Sequence, residues 1–190
     1  MDIGLLLLRL TTGLTVAAHG AQKLFGWFGG PGLDGTAQFF AALGFGPGRR
    51  HALLAAFVEI GAGLFLALGL VTPFPAAAII SMMLVGAVSV HIKNGFFAQN
   101  GGYEYALLVG VAALTLAFTG PGSLSLDALL GHYLSGAFWG VAALLIGIMG
   151  AVIPLMQRRR ASTDIAFKLV HVASLARGLC GTKHSQNKSP

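Results

Sequence analysis

Long stretches without charged side chains recur along the chain, and short joins rich in glycine and proline separate them. A helix needs about 20 consecutive apolar residues to cross the hydrocarbon core of a bilayer. Five segments reach or approach this length, at residues 3–24, 52–70, 73–92, 103–119 and 133–156. The fourth is the shortest, so we expect it to cross with little tilt. The pattern predicts an all-α membrane protein in which a four-helix transmembrane bundle is followed by a fifth, C-terminal transmembrane helix.

The first apolar segment could instead belong to a cleaved signal peptide. Such peptides begin with a positively charged region. Only Met1 and Asp2 precede the apolar run, and neither is basic. We therefore expect the first segment to be retained as a spanning helix.

Composition supports a membrane class for the whole chain. Of the 190 residues, 55% are hydrophobic and only 9% are charged, whereas soluble domains have roughly 25% charged residues. A disordered chain is excluded as well, because disorder requires low hydrophobicity and high charge. The net charge is +6, and most of that surplus follows the last apolar segment. This placement is typical of a membrane topology signal and argues against nucleic-acid binding.

The distribution of lysine and arginine outside the apolar segments predicts the orientation in the membrane. Arg49 and Arg50 lie in the first connection, with Lys23 at its edge, and Lys93 lies in the third. The amino end and the second and fourth connections have none. The tail carries seven: Arg158, Arg159, Arg160, Lys168, Arg177, Lys183 and Lys188. The positive-inside rule then predicts a multi-pass protein with its amino terminus outside and its carboxyl terminus in the cytoplasm.

The chain divides by composition into three parts. Residues 1–130 form the predicted four-helix core, residues 131–157 the additional transmembrane helix, and residues 158–190 a basic cytoplasmic tail. Within the tail, apolar residues repeat at helical spacing, which predicts a surface amphipathic helix on the anionic leaflet. Its apolar positions are Ile165, Leu169, Val172, Leu175 or Ala176, and Leu179. Cys180 is the single cysteine, so an internal disulfide and a thiolate metal cage are excluded.

Three ionisable residues share one face of the first segment. Arg9, His19 and Lys23 fall within about 80° of arc on a helix. A charged residue at mid-bilayer costs about 2.5–3.5 kcal/mol on insertion scales, so such residues face the interior of a bundle and often mark function. We expect this face to point inwards.

Other segments contribute polar residues that we expect at a similar depth, towards the cytoplasmic side. These are Glu59 in the second segment, His91 and Lys93 at the end of the third, and Tyr103 and Glu104 at the start of the fourth. Together with the first segment they predict a polar pocket, in which Glu59 pairs with Arg9 or Lys23 and Glu104 pairs with Lys93 or His91. No catalytic role can be assigned to any of them. The competing interpretation is that the ion pairs only fix the helices in register, with Lys93 and Glu104 reaching interfacial water.

The fifth segment has no ionisable side chain and carries a stripe of small residues instead. The stripe comprises Gly136, Gly140, Ala143, Gly147 and Gly150. Small residues let helix backbones approach closely in a membrane. The stripe predicts packing, either against the other four helices or in a homo-oligomer.

The chain resembles the DoxX family of small bacterial membrane proteins. Five motifs carry the resemblance, at residues 9–13 (RLTTG), 19–26 (HGAQKLFG), 59–69 (EIGAGLFLALG), 91–97 (HIKNGFF) and 101–105 (GGYEY). The resemblance covers residues 1 to about 130. The last segment and tail look like an extension of the family's usual four helices. The resemblance implies a redox function at the membrane, since the family is named for similarity to a subunit of a thiosulfate:quinone oxidoreductase. It also implies soluble partners, because DoxX-like proteins are linked to complexes that detoxify oxidants.

Three functions remain open from the residues alone. The chain could be an oxidoreductase component that binds a quinone or a small anion, or a non-enzymatic scaffold that docks soluble redox enzymes at the cytoplasmic face. An anion transporter is the third, although no inverted repeat is visible. No dinucleotide fingerprint is present, and two unpatterned histidines, His19 and His91, are a weak basis for haem. We expect no metal and no covalently bound cofactor, and a quinone is the candidate ligand.

Overall fold

The computed structural model describes residues 2–132 and 134–158. The predicted amphipathic helix of the tail and Cys180 lie outside the described residues. Within the described ranges the regular structure is entirely helical. The helices are α1 (Asp2–Phe25), α2 (Gly32–Ala42), α3 (Gly48–Leu68), α4 (Pro73–Gly86), α5 (Glu104–Thr119), α6 (Leu126–Leu129) and α7 (Ala137–Gln157). Beyond Gly86, α4 continues as a π turn (Ala87–His91) and a 3-10 turn (Ile92–Asn94).

All five predicted apolar segments form helices. Four helices are long and apolar enough to cross a membrane, namely α1, α3, α4 with its extension to Asn94, and α7. The remaining helix, α5, corresponds to the predicted fourth segment. It has 16 residues, which is short for a bilayer unless the membrane thins locally. The predicted all-α membrane fold is confirmed.

The first connection contains a helix that the apolar pattern does not predict. Helix α2 has 11 residues, too few to cross a bilayer, and it packs against α1 and α3. Glycines flank it: Gly32 at its start has φ 66° and Gly44 just after it has φ 93°. Both values lie in the left-handed region, where glycine is favoured because it has no Cβ. The chain can therefore turn sharply on both sides of a short helix.

Helices α1 and α3 approach so closely that their backbones touch. A Cβ atom added at Gly63 would lie 2.5 Å from the carbonyl oxygen of Gly13 and 2.6 Å from the backbone nitrogen of Ala17. A second close approach lies further along, where a Cβ at Gly20 would be 2.7 Å from the carbonyl oxygen of Ala56. Small residues at these crossings let the two helices gain dispersion contacts along most of their length. This pair is the main packing unit of the bundle.

The small-residue stripe of α7 faces other helices of the same chain. A Cβ at Gly140 would collide with the ring of Phe118 in α5, and one at Gly147 would lie 2.7 Å from Ile80 in α4. Ala143, between them, is 1% exposed. Gly136 differs from the rest, because it precedes the helix with φ 98° and a Cβ there would meet nothing within 4 Å. Of the two alternatives for the stripe, the structure shows packing within the chain.

Two buried charged side chains, Arg9 and Asp127, hold the segment around α6 against the end of α3 and the start of α4. Arg9 Nη1 donates to the carbonyl oxygen of Leu68 at 3.1 Å, and Nη2 donates to that of Leu124. Asp127 accepts from the backbone nitrogens of Val71 at 2.7 Å and Thr72 at 3.1 Å, and from the Thr72 hydroxyl at 2.9 Å. These contacts satisfy carbonyls at the end of α3 and amides at the start of α4, groups that a helix leaves unpaired.

We expect Asp127→Asn to lower the free energy of unfolding by about 2 kcal/mol, because hydrogen bonds to a charged group contribute roughly 1.5–3 kcal/mol. The Asn amide nitrogen would also face backbone N–H groups and could accept from none of them. Asp34→Asn is the matched control, since Asp34 is 80% exposed in its pair with Arg49 and such pairs contribute about 0–1 kcal/mol. Thermal unfolding of both variants in detergent checks this, and equal midpoints would contradict it.

Candidate functional site: a cavity between five helices

A cavity of about 620 Å3 lies between α1, α2, α3, α4 and α5. Its walls are mostly apolar and include aromatic rings from α2 and from the turn that follows it, at Phe39, Phe40 and Phe45. The polar side chains on its lining come from all five helices. They are His19, Gln22, Lys23, Thr36, Glu59, Ser89, His91 and Tyr105. This volume lies within the range of small-molecule sites, roughly 300–1,000 Å3.

An ion pair between α1 and α3 lies on the cavity wall. Glu59 is 3% exposed, and its Oε1 accepts a hydrogen bond from Lys23 Nζ. Glu59 Oε2 is also buried, but it has no hydrogen-bond partner among the described residues. The structure therefore pairs Glu59 with Lys23, the second of the two partners that the sequence allows.

Both histidines of the cavity donate their Nδ1–H to a backbone carbonyl. His19 Nδ1 lies 2.8 Å from the oxygen of Thr15, and His91 Nδ1 lies 2.6 Å from that of Gly101. A carbonyl oxygen can only accept, so Nδ1 carries the proton and Nε2 of the neutral ring is an acceptor. The His19 ring also stacks on Tyr105, with ring centroids 5.4 Å apart. The stacking and the hydrogen bond together fix the orientation of the imidazole.

Ser89 lies in the π turn that extends α4. Its side chain is 6% exposed, and its hydroxyl has no partner among the described residues. Helical hydroxyls usually donate to the carbonyl four residues earlier, as Thr36 and Thr115 do here at 2.7 Å and 2.9 Å. In a π turn the backbone carbonyls are shifted from their α-helical positions. Within the described part of the chain, the Ser89 hydroxyl therefore has no hydrogen-bond partner.

Comparison with known proteins places this architecture in a family. The DoxX family model matches residues 4–92. "Putative oxidoreductase CatD" of Bacillus subtilis (strain 168) is 34% identical over 126 residues, which cover 66% of this chain and 86% of that protein. The chain belongs to the DoxX family. "Inner membrane protein YphA" of Escherichia coli (strain K12) is 32% identical over 122 residues, covering 60% of this chain and 87% of that protein. No solved structure matches the chain.

The region matched by the DoxX model contains most polar groups of the cavity. His19, Lys23, Glu59, Ser89 and His91 all lie within residues 4–92. Tyr105 and the stripe of α7 lie beyond it. The part of the chain that defines the family is therefore also the part that supplies the polar side of the cavity.

Of the eight predicted pocket residues, four line the cavity and four do not. His19, Lys23, Glu59 and His91 line the cavity, but Arg9 lies at the opposite end of the bundle, beside Leu68 and Leu124. The predicted pairing of Arg9 with Glu59 is therefore wrong. Arg9 and Lys23 share a face of α1, but 14 residues separate them, which is about 21 Å along a helix axis.

Lys93, Tyr103 and Glu104 lie in or beside the loop between α4 and α5 and do not line the cavity. Glu104 Oε2 accepts from the backbone nitrogen of Ala98 at 2.8 Å, so its predicted pairing with Lys93 or His91 is wrong. Tyr103 packs edge-on against Phe96, with centroids 5.5 Å apart, and Lys93 is exposed. Of the four residues predicted from this region, only His91 lines the cavity.

Sequence reasoning misses Ser89, Tyr105 and the aromatic wall from α2. A serine among apolar residues has no pattern that separates it from one bonded to its own helix. Metal binding finds no support in the part of the chain that the structure describes, where no three His, Cys, Asp or Glu side chains are arranged to hold an ion.

Proposed function

We propose that this DoxX-family membrane protein is a component of a redox system and that its cavity binds a quinone-type ring. The observation that carries the proposal is the cavity of about 620 Å3, in which aromatic and aliphatic walls meet a buried Lys23–Glu59 pair. A quinone needs the same combination, with apolar surface for the ring and a few hydrogen-bonding groups for its oxygens. The oxidoreductase name of the CatD relative supports a redox role.

The charge of the cavity favours a quinone over the small anion that the sequence also allows. Among the described residues, Lys23 is the single lysine or arginine on the cavity wall, and its charge is compensated by Glu59. An anion transferred into this site would meet no net positive charge while losing its hydration, which is strongly unfavourable in a low-dielectric interior. A neutral ring with polar oxygens loses far less hydration free energy when it enters the site.

We place the cavity towards the cytoplasmic side of a bacterial inner membrane. The basic residues of the connections lie at one end of the bundle, where α1 ends and α3 begins, and Arg158 at the end of α7 donates to the carbonyl oxygen of Leu43 at the same end. The positive-inside rule assigns that end to the cytoplasm. The name of the YphA relative supports the inner membrane, and soluble redox enzymes would approach the protein from this side.

Two valines of the π turn provide a matched test. Val90 lines the cavity, whereas Val88 does not and is 42% exposed. Val90→Trp fills the cavity, so we expect it to abolish binding of a short-chain ubiquinone analogue in nanodiscs, while the wild type and Val88→Trp bind alike. Bound quinone would be quantified by mass spectrometry after gel filtration.

Two results would contradict the proposal. Undiminished binding by Val90→Trp would show that a quinone binds elsewhere. If none of the three proteins retains quinone while the wild type copurifies with a soluble oxidoreductase, the protein is the non-enzymatic scaffold.

A further inference from the structure

Two residues that line the cavity each have a buried polar atom with no hydrogen-bond partner among the described residues. The atoms are Glu59 Oε2 on α3 and Ser89 Oγ on α4. A buried polar atom without a partner costs roughly 1–3 kcal/mol. An occupant that bonds to both atoms recovers this energy, so their chemistry selects the occupant.

The two atoms differ in what they can bond. A carboxylate paired with a lysine accepts hydrogen bonds and cannot donate them, whereas a serine hydroxyl can do both. Glu59 Oε2 therefore requires a donor on the ligand. The carbonyl oxygens of a quinone only accept, so they can bond to Ser89 but leave Glu59 Oε2 unsatisfied. The hydroxyl group of a phenol or hydroquinone can donate to Glu59 and accept from Ser89.

His19 adds a third group with the same requirement. Its Nδ1–H is used by the carbonyl oxygen of Thr15, so Nε2 of the neutral ring is an acceptor. Phe39 and Phe40 supply apolar surface on the side of α2. The cavity thus combines acceptors on α1 and α3, a hydroxyl on α4 and a wall suited to an aromatic ring.

We propose that the cavity selects the hydroxyl form of its ligand, a hydroquinone or phenol, over the quinone, with Glu59 as hydrogen-bond acceptor and Ser89 as donor. This inference rests on the proposed function and names the redox state of the ligand that the site prefers. The preference concerns binding alone and needs no reaction within the protein.

Three ring compounds separate the requirements. Trimethylhydroquinone donates and accepts, whereas its quinone and its dimethyl ether only accept. We expect full-length protein in nanodiscs, kept anaerobic, to bind the hydroquinone about tenfold more tightly than the other two, because one hydrogen bond to a charged group is worth roughly that ratio. In Glu59→Gln the preference should disappear, because the amide nitrogen can donate to a quinone carbonyl.

Ser89→Ala should weaken hydroquinone binding about three- to tenfold, while Ser81→Ala leaves it unchanged. Ser81 lies earlier in α4, near Gly150 of α7, and does not line the cavity. For Glu59→Gln the readout is the ratio of the hydroquinone and quinone dissociation constants within the variant, which partial unfolding does not change. For Ser89→Ala it is the hydroquinone dissociation constant relative to that of Ser81→Ala.

Equal binding of all three compounds, or a preference that survives Glu59→Gln, would overturn this inference and leave the quinone-type site standing. Binding of none of them would overturn the proposed function as well.

Discussion

Gly63→Leu will prevent α1 and α3 from packing and will leave little folded protein. Even a single Cβ at this position would lie 2.5 Å from the carbonyl oxygen of Gly13 and 2.6 Å from the nitrogen of Ala17. Both are backbone atoms, which cannot move aside as a side chain can. Overpacking of a core costs typically 1–3 kcal/mol, and a branched side chain between two backbones should exceed the upper end of that range.

Gly61→Leu is the matched control for this change. Gly61 lies two residues earlier on the same helix, and a Cβ there would meet nothing within 4 Å. A leucine at this position should leave stability unchanged or raise it slightly, because leucine has a higher helix propensity than glycine by somewhat under 1 kcal/mol. The yield of monodisperse protein and the unfolding midpoint in detergent measure both variants. Similar profiles for the two would show that α1 and α3 are less closely packed than described.

Lys23→Met is expected to lower the free energy of unfolding by about 3 kcal/mol, because it leaves a buried carboxylate without its counter-charge. The side chain of Glu59 is 4% exposed and that of Lys23 is 26% exposed. Some solvent therefore reaches the lysine, and we expect a loss at the lower end of the 3–5 kcal/mol range for broken buried pairs.

The double variant Lys23→Met/Glu59→Gln tests whether the loss comes from the unpaired charge. With both charges removed, we expect more than half of the lost stability to return, since replacing a whole buried pair is often nearly neutral. The coupling energy between the two positions should therefore be large. Chemical denaturation in mixed micelles gives all four corners of the cycle. Additive losses would show that Lys23 and Glu59 do not interact.

Apolar segments of nearly 20 residues predict the helices of this fold well, because only a helix satisfies the backbone within a bilayer. This rule does not predict helix α2. With 11 residues α2 does not cross the bilayer, and its stability comes from packing against α1 and α3. Spacing along a helix also predicts which face Arg9 occupies. It does not predict which partners Arg9 meets, since the carbonyl oxygen of Leu124 is 115 positions away in the chain.

In the candidate site, too, the sequence predicts some residues and contacts and misses others. Lys23 and Glu59 stand out because charge is expensive in a membrane, and they do meet. Glu104 stands out for the same reason but bonds to Ala98 only six residues away, because a local loop offers it an amide at little entropic cost. Ser89 does not stand out at all, because its role depends on a π turn, which has no sequence signature comparable to hydrophobic periodicity.

The π turn at Ala87–His91 makes the length of α4 as informative as its composition. Such a turn holds one more residue than an α turn, so deleting a single residue there restores a regular α-helix, and the residues on either side of the turn keep their facing. A serine in a regular helix usually donates to the carbonyl oxygen four residues earlier, so the wall would lose its unpaired hydroxyl. A homologue that is one residue shorter between Gly86 and Asn94 should therefore recognise a different molecule, however similar the rest of its sequence.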